Sequence, residues 1–144
     1  IDIAIKAAET GHLVLSTVHT TDAPRTISRI LSVFDPSEQA ATRLRLSETL
    51  LAVISQRLLQ RADGMGRVAA CEVMRQTKTI QECIADPSKI YMLKEYIEKG
   101  REFYQMQTFD QHLTDLYRAG VINLETAKNA ATSAADFERN LQFE

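Results

Sequence analysis

Among its five glycines this 144-residue chain has no Gly-x-x-x-x-Gly-Lys-[Ser/Thr] run. It therefore carries no phosphate loop of its own, the element whose backbone N–H groups and lysine hold nucleotide phosphates. No Gly-x-Ser-x-Gly elbow occurs either, and Ser16 and Ser55 fall inside predicted strands, which argues against nucleophilic catalysis. The two cysteines, Cys71 and Cys83, are not spaced as a Cys-x-x-Cys pair. A tetrahedral zinc site has no evident ligand set, and buried reduced thiols are the expectation. Neither charge dominates: 17 basic against 19 acidic side chains give −2, so no strong field points to nucleic acid or an anionic membrane. No apolar run reaches the roughly 18 residues needed to cross a bilayer, and no signal peptide is evident. A reducing, cytoplasmic setting is expected.

What is present is ordinary globular material, 44% hydrophobic, enough for one domain or a domain fragment with a helical appendage. The densest information lies in Ala8–Ala23. Leu13–Val18 mixes apolar and hydroxyl residues, follows Gly11, and is half β-branched, which predicts a buried strand. His12 and His19 bracket it, and Thr20, Thr21 and Asp22 follow. In parallel sheets chemistry gathers just past the carboxyl end of a strand, where His19 and Thr20 would sit. His12 lies at the other end, separated by roughly 20 Å of extended chain, so one site does not readily hold both. Their spacing is not a metal-ligand spacing, and no metal is expected.

The rest of the first half reads as alternating elements. Ile1–Glu9 is a helix closed by Gly11, and Asp22 caps a second helix with Pro24 in its first turn. Ile27, Ile30, Leu31 and Phe34 form its apolar face. Asp35-Pro36-Ser37-Glu38 predicts a third helix, running to about Ala52. Val53–Gln60 and Arg67–Met74 make a hairpin across Asp63-Gly64-Met65-Gly66. From Thr77 the period becomes helical: Ile80/Cys83/Ile84 up to Asp86-Pro87, then Ile90/Leu93/Ile97 up to Gly100. A Thr108–Gln111 capping box opens the next helix, Asn123 caps another, and Asp136–Phe143 suggests a last one. His112, beside Leu113 and Leu116, reads as a half-buried, hydrogen-bonded histidine. The pattern is an α/β layer with an antiparallel extension, residues 1–75, followed by a small helical bundle, residues 76–144.

Five stretches carry a resemblance: Gly11-His12-Leu13-Val14, Val18-His19-Thr20-Thr21, Val53-Ile54-Ser55-Gln56-Arg57-Leu58, Gly66-Arg67-Val68-Ala69-Ala70 and Met106-Gln107-Thr108-Phe109. In this order they resemble the type IV pilus retraction ATPases of the PilT type, within the hexameric secretion ATPase superfamily. The resemblance implies that residues 1–75 are the later half of a RecA-like P-loop ATPase core and that 76–144 are its helical C-terminal appendage. The family's phosphate loop and Mg²⁺-organising acids lie upstream of its His box, so the chain looks like the C-terminal part of a larger protein. ATP and Mg²⁺ would then bind the intact protein, with neither bound by this piece alone, which should not hydrolyse ATP.

The same resemblance makes His19 a sensor of the terminal phosphate, with Thr20 beside it in the nucleotide site. From spacing alone His19 could instead satisfy backbone groups at the start of the next helix. His12 is structural or at a subunit contact. Arg57 and Arg67 are open between a phosphate or neighbouring-subunit contact and guarding a sheet edge. Implied partners are the other subunits of a hexameric ring and an inner-membrane pilus platform protein, with the whole cytoplasmic and peripheral at the inner face of the bacterial inner membrane. The family's Ala-Ile-Arg-Asn-Leu retraction motif departs here to Thr79-Ile80-Gln81-Glu82-Cys83, which puts retraction, or its partner surface, in question. Two alternatives stand. One is an assembly or type II secretion ATPase, although the Cys-x-x-Cys module usual there is absent from Gln60–Arg67. The other is a stand-alone, non-catalytic interaction domain.

Overall fold

A computed structural model describes residues 1–143. The chain begins with α1 (Asp2–Glu9), α2 (Ala23–Leu31) and α3 (Gln39–Thr49). The hairpin β1 (Ala52–Gln60) and β2 (Arg67–Arg75) follows. Next come α4 (Lys78–Ala85), a 3₁₀ segment over Pro87–Met92, α5 (Leu93–Lys99) and the one-turn α6 (Arg101–Tyr104). The chain closes with α7 (Phe109–Arg118), α8 (Leu124–Ala130) and α9 (Ala134–Phe143).

Local chemistry explains most boundaries. Asp22 accepts from the Arg25 N–H at 2.9 Å to open α2, with Pro24 in the first turn. Thr108 and Gln111 form the full capping box of α7, and the Asn123 side chain accepts from Thr126 N–H to open α8. Gly11, at φ +89°, turns the chain away from α1, and Gly120, at φ +69°, does so after α7; a Cβ disfavours both conformations.

Three expectations are corrected. Leu13–Val18 is not a strand: residues 12–20 adopt no regular secondary structure and pair with no other strand, and Leu13 and Leu15 are 77% and 88% exposed. A strand needs a neighbour for its N–H and C=O groups, and the described residues supply none beside this segment. The sheet is accordingly the two-stranded β1–β2 hairpin rather than a parallel layer. The third helix begins at Gln39, after a turn in which the Asp35 carbonyl accepts from Glu38 and Gln39 N–H. The predicted Ile90–Ile97 helix divides at Leu93, its first turns tightening to 3₁₀ behind Pro87.

The hairpin organises the packing. Its register sets Val53 opposite Met74, Ser55 opposite Glu72, Arg57 opposite Ala70 and Leu59 opposite Val68 on one face. Val53 and Met74 enter a core built from Ala23, Ile27, Leu31 and Leu46 together with Ile80, Ile84, Leu93 and Ile97. Ala70 enters a second core with Phe109, Leu113, Ile122, Ala127 and Phe137, against which Leu59 and Val68 pack. Each fully buried aliphatic side chain contributes about 1.5–3 kcal/mol. Between the two cores, on the same face, lie Ser55 and Glu72, each 5% exposed.

The free edge of β2 is closed by the helical half. Val73 and Gln107 exchange backbone hydrogen bonds of 2.8 and 3.0 Å. The Gln107 amide donates to the Cys71 carbonyl at 2.9 Å, and Cys71 N–H donates to His112 Nδ1 at 2.9 Å. His112 is thus half-buried and hydrogen-bonded, as expected, with its remaining hydrogen on Nε2.

Candidate functional site

Thr20 N–H donates to the Val18 carbonyl at 3.2 Å, closing a three-residue turn with His19 at its apex. That turn explains the exposure of the His19 ring, which makes no hydrogen bond among the described residues. In sequence His19 lies three residues before the Asp22 cap of α2, whose amino end, with its unpaired N–H groups and helix dipole, favours negative charge.

The turn is anchored on its inner side. Thr26, 6% exposed, donates its hydroxyl to the Asp22 carbonyl at 2.9 Å, and Thr20 Oγ1 lies 2.6 Å from Thr26 Oγ1. The hydroxyl hydrogen of Thr26 is thereby committed, so Thr20 donates to it. On the outer side Arg25 donates to Thr21 Oγ1 at 2.6 Å, and Thr21 donates to Asp22 Oδ2 at 3.1 Å. Thr20 therefore uses its hydroxyl to hold the turn, while His19 keeps both ring nitrogens available.

The other anchor was not anticipated from the sequence. Glu72 Oε1 accepts from Ala23 N–H at 2.9 Å, across 49 residues. Burial pushes this carboxyl above its ordinary range, and the nearby Asp22 charge adds to that. The Ala23 hydrogen bond, Arg57 and Lys94 act in the opposite direction without cancelling it. A signal was available in the sequence: in the alternating run Ala70–Glu72–Met74 a lone carboxylate shares the inward face of β2 with apolar neighbours.

The remaining expected residues lie elsewhere. His12 folds against the end of α1, its Nδ1 at 3.1 Å from Thr10 Oγ1 and 3.3 Å from the Ala7 carbonyl. Arg57 donates to the Ala130 carbonyl at 2.9 Å and stacks over Phe109, with its guanidinium carbon 3.9 Å from the ring centroid. Its head group is thus engaged within the chain, linking β1 to α7 and α8. Arg67 is exposed where β2 begins. Among the described residues no group of three or more His, Cys, Asp or Glu could hold a metal ion. A cleft of about 750 Å³ opens between the start of α1 and the α2–α3 region, lined by Asp2, Lys6, Phe34, Glu38 and Arg45 among others, and does not include His19. In the departed retraction motif Ile80 and Cys83 are buried, while Thr79 and Glu82 are exposed and Gln81 half-buried. The altered charges therefore change the surface of α4 and leave its core face apolar.

The turn is able to make a directional contact with an anion and to report its loss. It offers no nucleophile, no metal cage and no pair of carboxylates for proton transfer.

Comparison with known proteins extends this picture. The family model described as type II/IV secretion system protein matches residues 1–142. A twitching motility protein of Neisseria gonorrhoeae is 42% identical over 134 residues, covering 93% of this chain and 35% of that protein. The type IV pilus retraction ATPase PilT of Pseudomonas aeruginosa is 42% identical over 137 residues, covering 95% of this chain and 39% of its own length. A crystal structure of the pilus retraction motor PilT with bound ADP superposes with a TM-score of 0.80 at 39% identity, covering 96% of this chain and 38% of that one. The chain thus spans little more than a third of the length of these relatives.

Proposed function

Because the chain belongs to the type II/IV secretion system protein family, we propose that it is the C-terminal part of a hexameric ATPase that retracts type IV pili, with His19 as the group that senses the terminal phosphate of ATP. The likeness along nearly the whole chain to proteins named for pilus retraction and twitching motility supports the activity. The observation that carries the role of His19 is its exposed position at the apex of a fastened turn, just before the positive end of α2 in sequence.

A hydrogen bond to a charged phosphate contributes roughly 1.5–3 kcal/mol. Present with triphosphate and absent with diphosphate, it biases the turn between two arrangements and so ties nucleotide state to subunit movement. Residues of this chain fit a phosphate contact but not a Mg²⁺ site, since Asp22 already serves α2 and Arg25. The phosphate cradle and the groups that hold Mg²⁺ belong to parts of the protein outside these 144 residues, and the isolated chain should not turn over ATP.

Residues 1–75 would complete the ATPase core and 76–144 form its appendage. The exposed apolar residues Leu13 and Leu15 and the outward β1 residues Ile54 and Leu58, 69% and 60% exposed, support a larger sheet covering them in the intact protein. Ring neighbours would meet exposed groups such as Arg67, and an inner-membrane platform protein would be the partner at the cytoplasmic face. No helix among the described residues is long and apolar enough to cross a membrane.

The test is steady-state ATP hydrolysis and twitching by the intact gene product and its His19→Ala variant. The contact energy above corresponds to a kcat lower by roughly 10- to 150-fold. Wild-type turnover together with wild-type motility in the variant would remove the assignment.

A further inference from the structure

We propose that Glu72 is a positioning residue for the phosphate-sensing turn: its buried carboxylate holds the first amide of α2 and so sets where His19 stands relative to the hairpin. This rests on the reading of His19 given above.

The geometry has three parts. First, the bond is long-range and shielded. Glu72 is 5% exposed, Ala23 is fully buried, and the 2.9 Å contact joins the inward face of β2 to the residue immediately after the Asp22 cap. A hydrogen bond screened this well from water is costly to break, because both groups would be left without solvent. Second, the turn has little freedom once Ala23 is held. Thr20 is bonded to Thr26, Thr26 to the Asp22 carbonyl, and Thr20 N–H to Val18. Only three residues separate His19 from Ala23 in sequence, so a displacement of the amino end of α2 is passed on to the imidazole. Third, Glu72 lies where the two hydrophobic cores meet. Its neighbour Cys71 donates to His112 on α7, and Arg57, on the same face of the hairpin, reaches Ala130 at the end of α8. A rigid hairpin is therefore bonded on one side to the sensing turn and on the other to the helical appendage. That contiguous path can carry a shift from the phosphate to the outer helices.

The choice of a carboxylate is informative. Holding one amide in the interior needs only an acceptor, which glutamine supplies without a buried charge. When charged, a carboxylate adds attraction to the amino end of α2, and Arg57 and Lys94 offset part of the burial that otherwise raises its pKa. The acceptor oxygen is the part that positions, and the charge adds strength.

The experiment uses the intact ATPase with Glu72→Met, Glu72→Gln and His19→Ala, and the double variant Glu72→Met/His19→Ala. Two readouts are taken: kcat and KM for ATP, and amide hydrogen exchange of peptides spanning residues 18–26. Methionine matches glutamate in length, tolerates burial and accepts almost nothing. It should abolish protection at Ala23 and lower kcat by roughly tenfold through misplacement, with KM changed less than threefold. Glutamine should restore both readouts to within about twofold of wild type, a rescue that a need for the charge alone would not give. The double variant should be no slower than His19→Ala. If Glu72→Met does not fold, Glu72→Asp, one methylene too short to reach the amide, is expected to show the same losses. Loss of Ala23 protection with unchanged kcat, while His19→Ala is slow, would overturn the role of Glu72 and leave the sensor reading standing. So would a double variant tenfold slower than His19→Ala. Wild-type turnover in His19→Ala would overturn the sensor reading and the positioning role with it.

Discussion

Replacing Arg57 by alanine is expected to destabilise the chain by about 2–3 kcal/mol, because its head group has two engagements that solvent does not fully screen. The guanidinium donates to the Ala130 carbonyl at 2.9 Å in a half-buried setting, and a charged hydrogen bond of this kind contributes about 1.5 kcal/mol at the lower end of its range. The same group stacks 3.9 Å above Phe109, itself 4% exposed, adding about 1 kcal/mol. For 144 residues the unfolding entropy near the midpoint is about 0.3 kcal/mol/K, so Tm should fall by about 8 °C. Thermal and urea unfolding of the 144-residue chain read this directly. Arg57→Lys keeps the charge but loses the planar stack and should fall between the two. A double-mutant cycle with Phe109→Leu should return a coupling of about 1 kcal/mol. A change under about 0.5 kcal/mol in Arg57→Ala would refute the reasoning: the arginine would then not hold α7 and α8 in solution, and its head group would be free for a neighbouring subunit.

Two further outcomes follow from buried and half-buried groups. Burial pushes Asp110 up, but the Thr132 N–H, Lys94 and Thr132 contacts together outweigh it and hold the carboxyl below its ordinary 3.8. Its contribution is therefore present above about pH 3.8 and lost as pH falls through the lowered value. Asp110→Asn should accordingly cost about 1 kcal/mol at pH 7 and nearly nothing in strong acid, as read by urea midpoints across pH; a pH-independent difference would contradict this. At Gly100 a Cβ would lie 2.1 Å from Met106 Cε and 3.1 Å from the Tyr96 carbonyl. Met106 is 2% exposed and has little room to move, so Gly100→Ala should destabilise by about 1–3 kcal/mol, and an unchanged Tm would show that the thioether repacks freely.

Much of this was legible in the chain itself where the signal is local. The Asp22 cap, the Thr108–Gln111 box, the Asn123 cap and the Gly11 and Gly120 turns each depend on a side chain or an absent Cβ within a few residues. The hairpin register follows from alternation across the Asp63–Gly66 turn. Leu13–Val18 was misread because its composition is that of a buried strand, whereas strand formation depends on a neighbour that composition does not report. Asp35-Pro36 was misread as a helix start because its turn uses backbone bonds from Glu38 and Gln39 rather than a side-chain cap.

At the candidate site the division has the same cause. The histidines, the threonines and the capping aspartate could be named from their order along the chain. That His19 faces outward follows from the Val18–Thr20 turn, and that Arg57 is engaged follows from Phe109 and Ala130, 52 and 73 positions away. Glu72 became part of the site only through an amide 49 residues before it.

By itself the sequence determined the hairpin, most of the helices, the caps at Asp22, Thr108 and Asn123, and the family, since each is written in short-range spacing or in side chains kept in order. Which polar groups meet was decided only when the hairpin brought its two cores together. Hydrogen bonds between distant residues depend on distances of a few ångströms that packing sets and that no local pattern encodes.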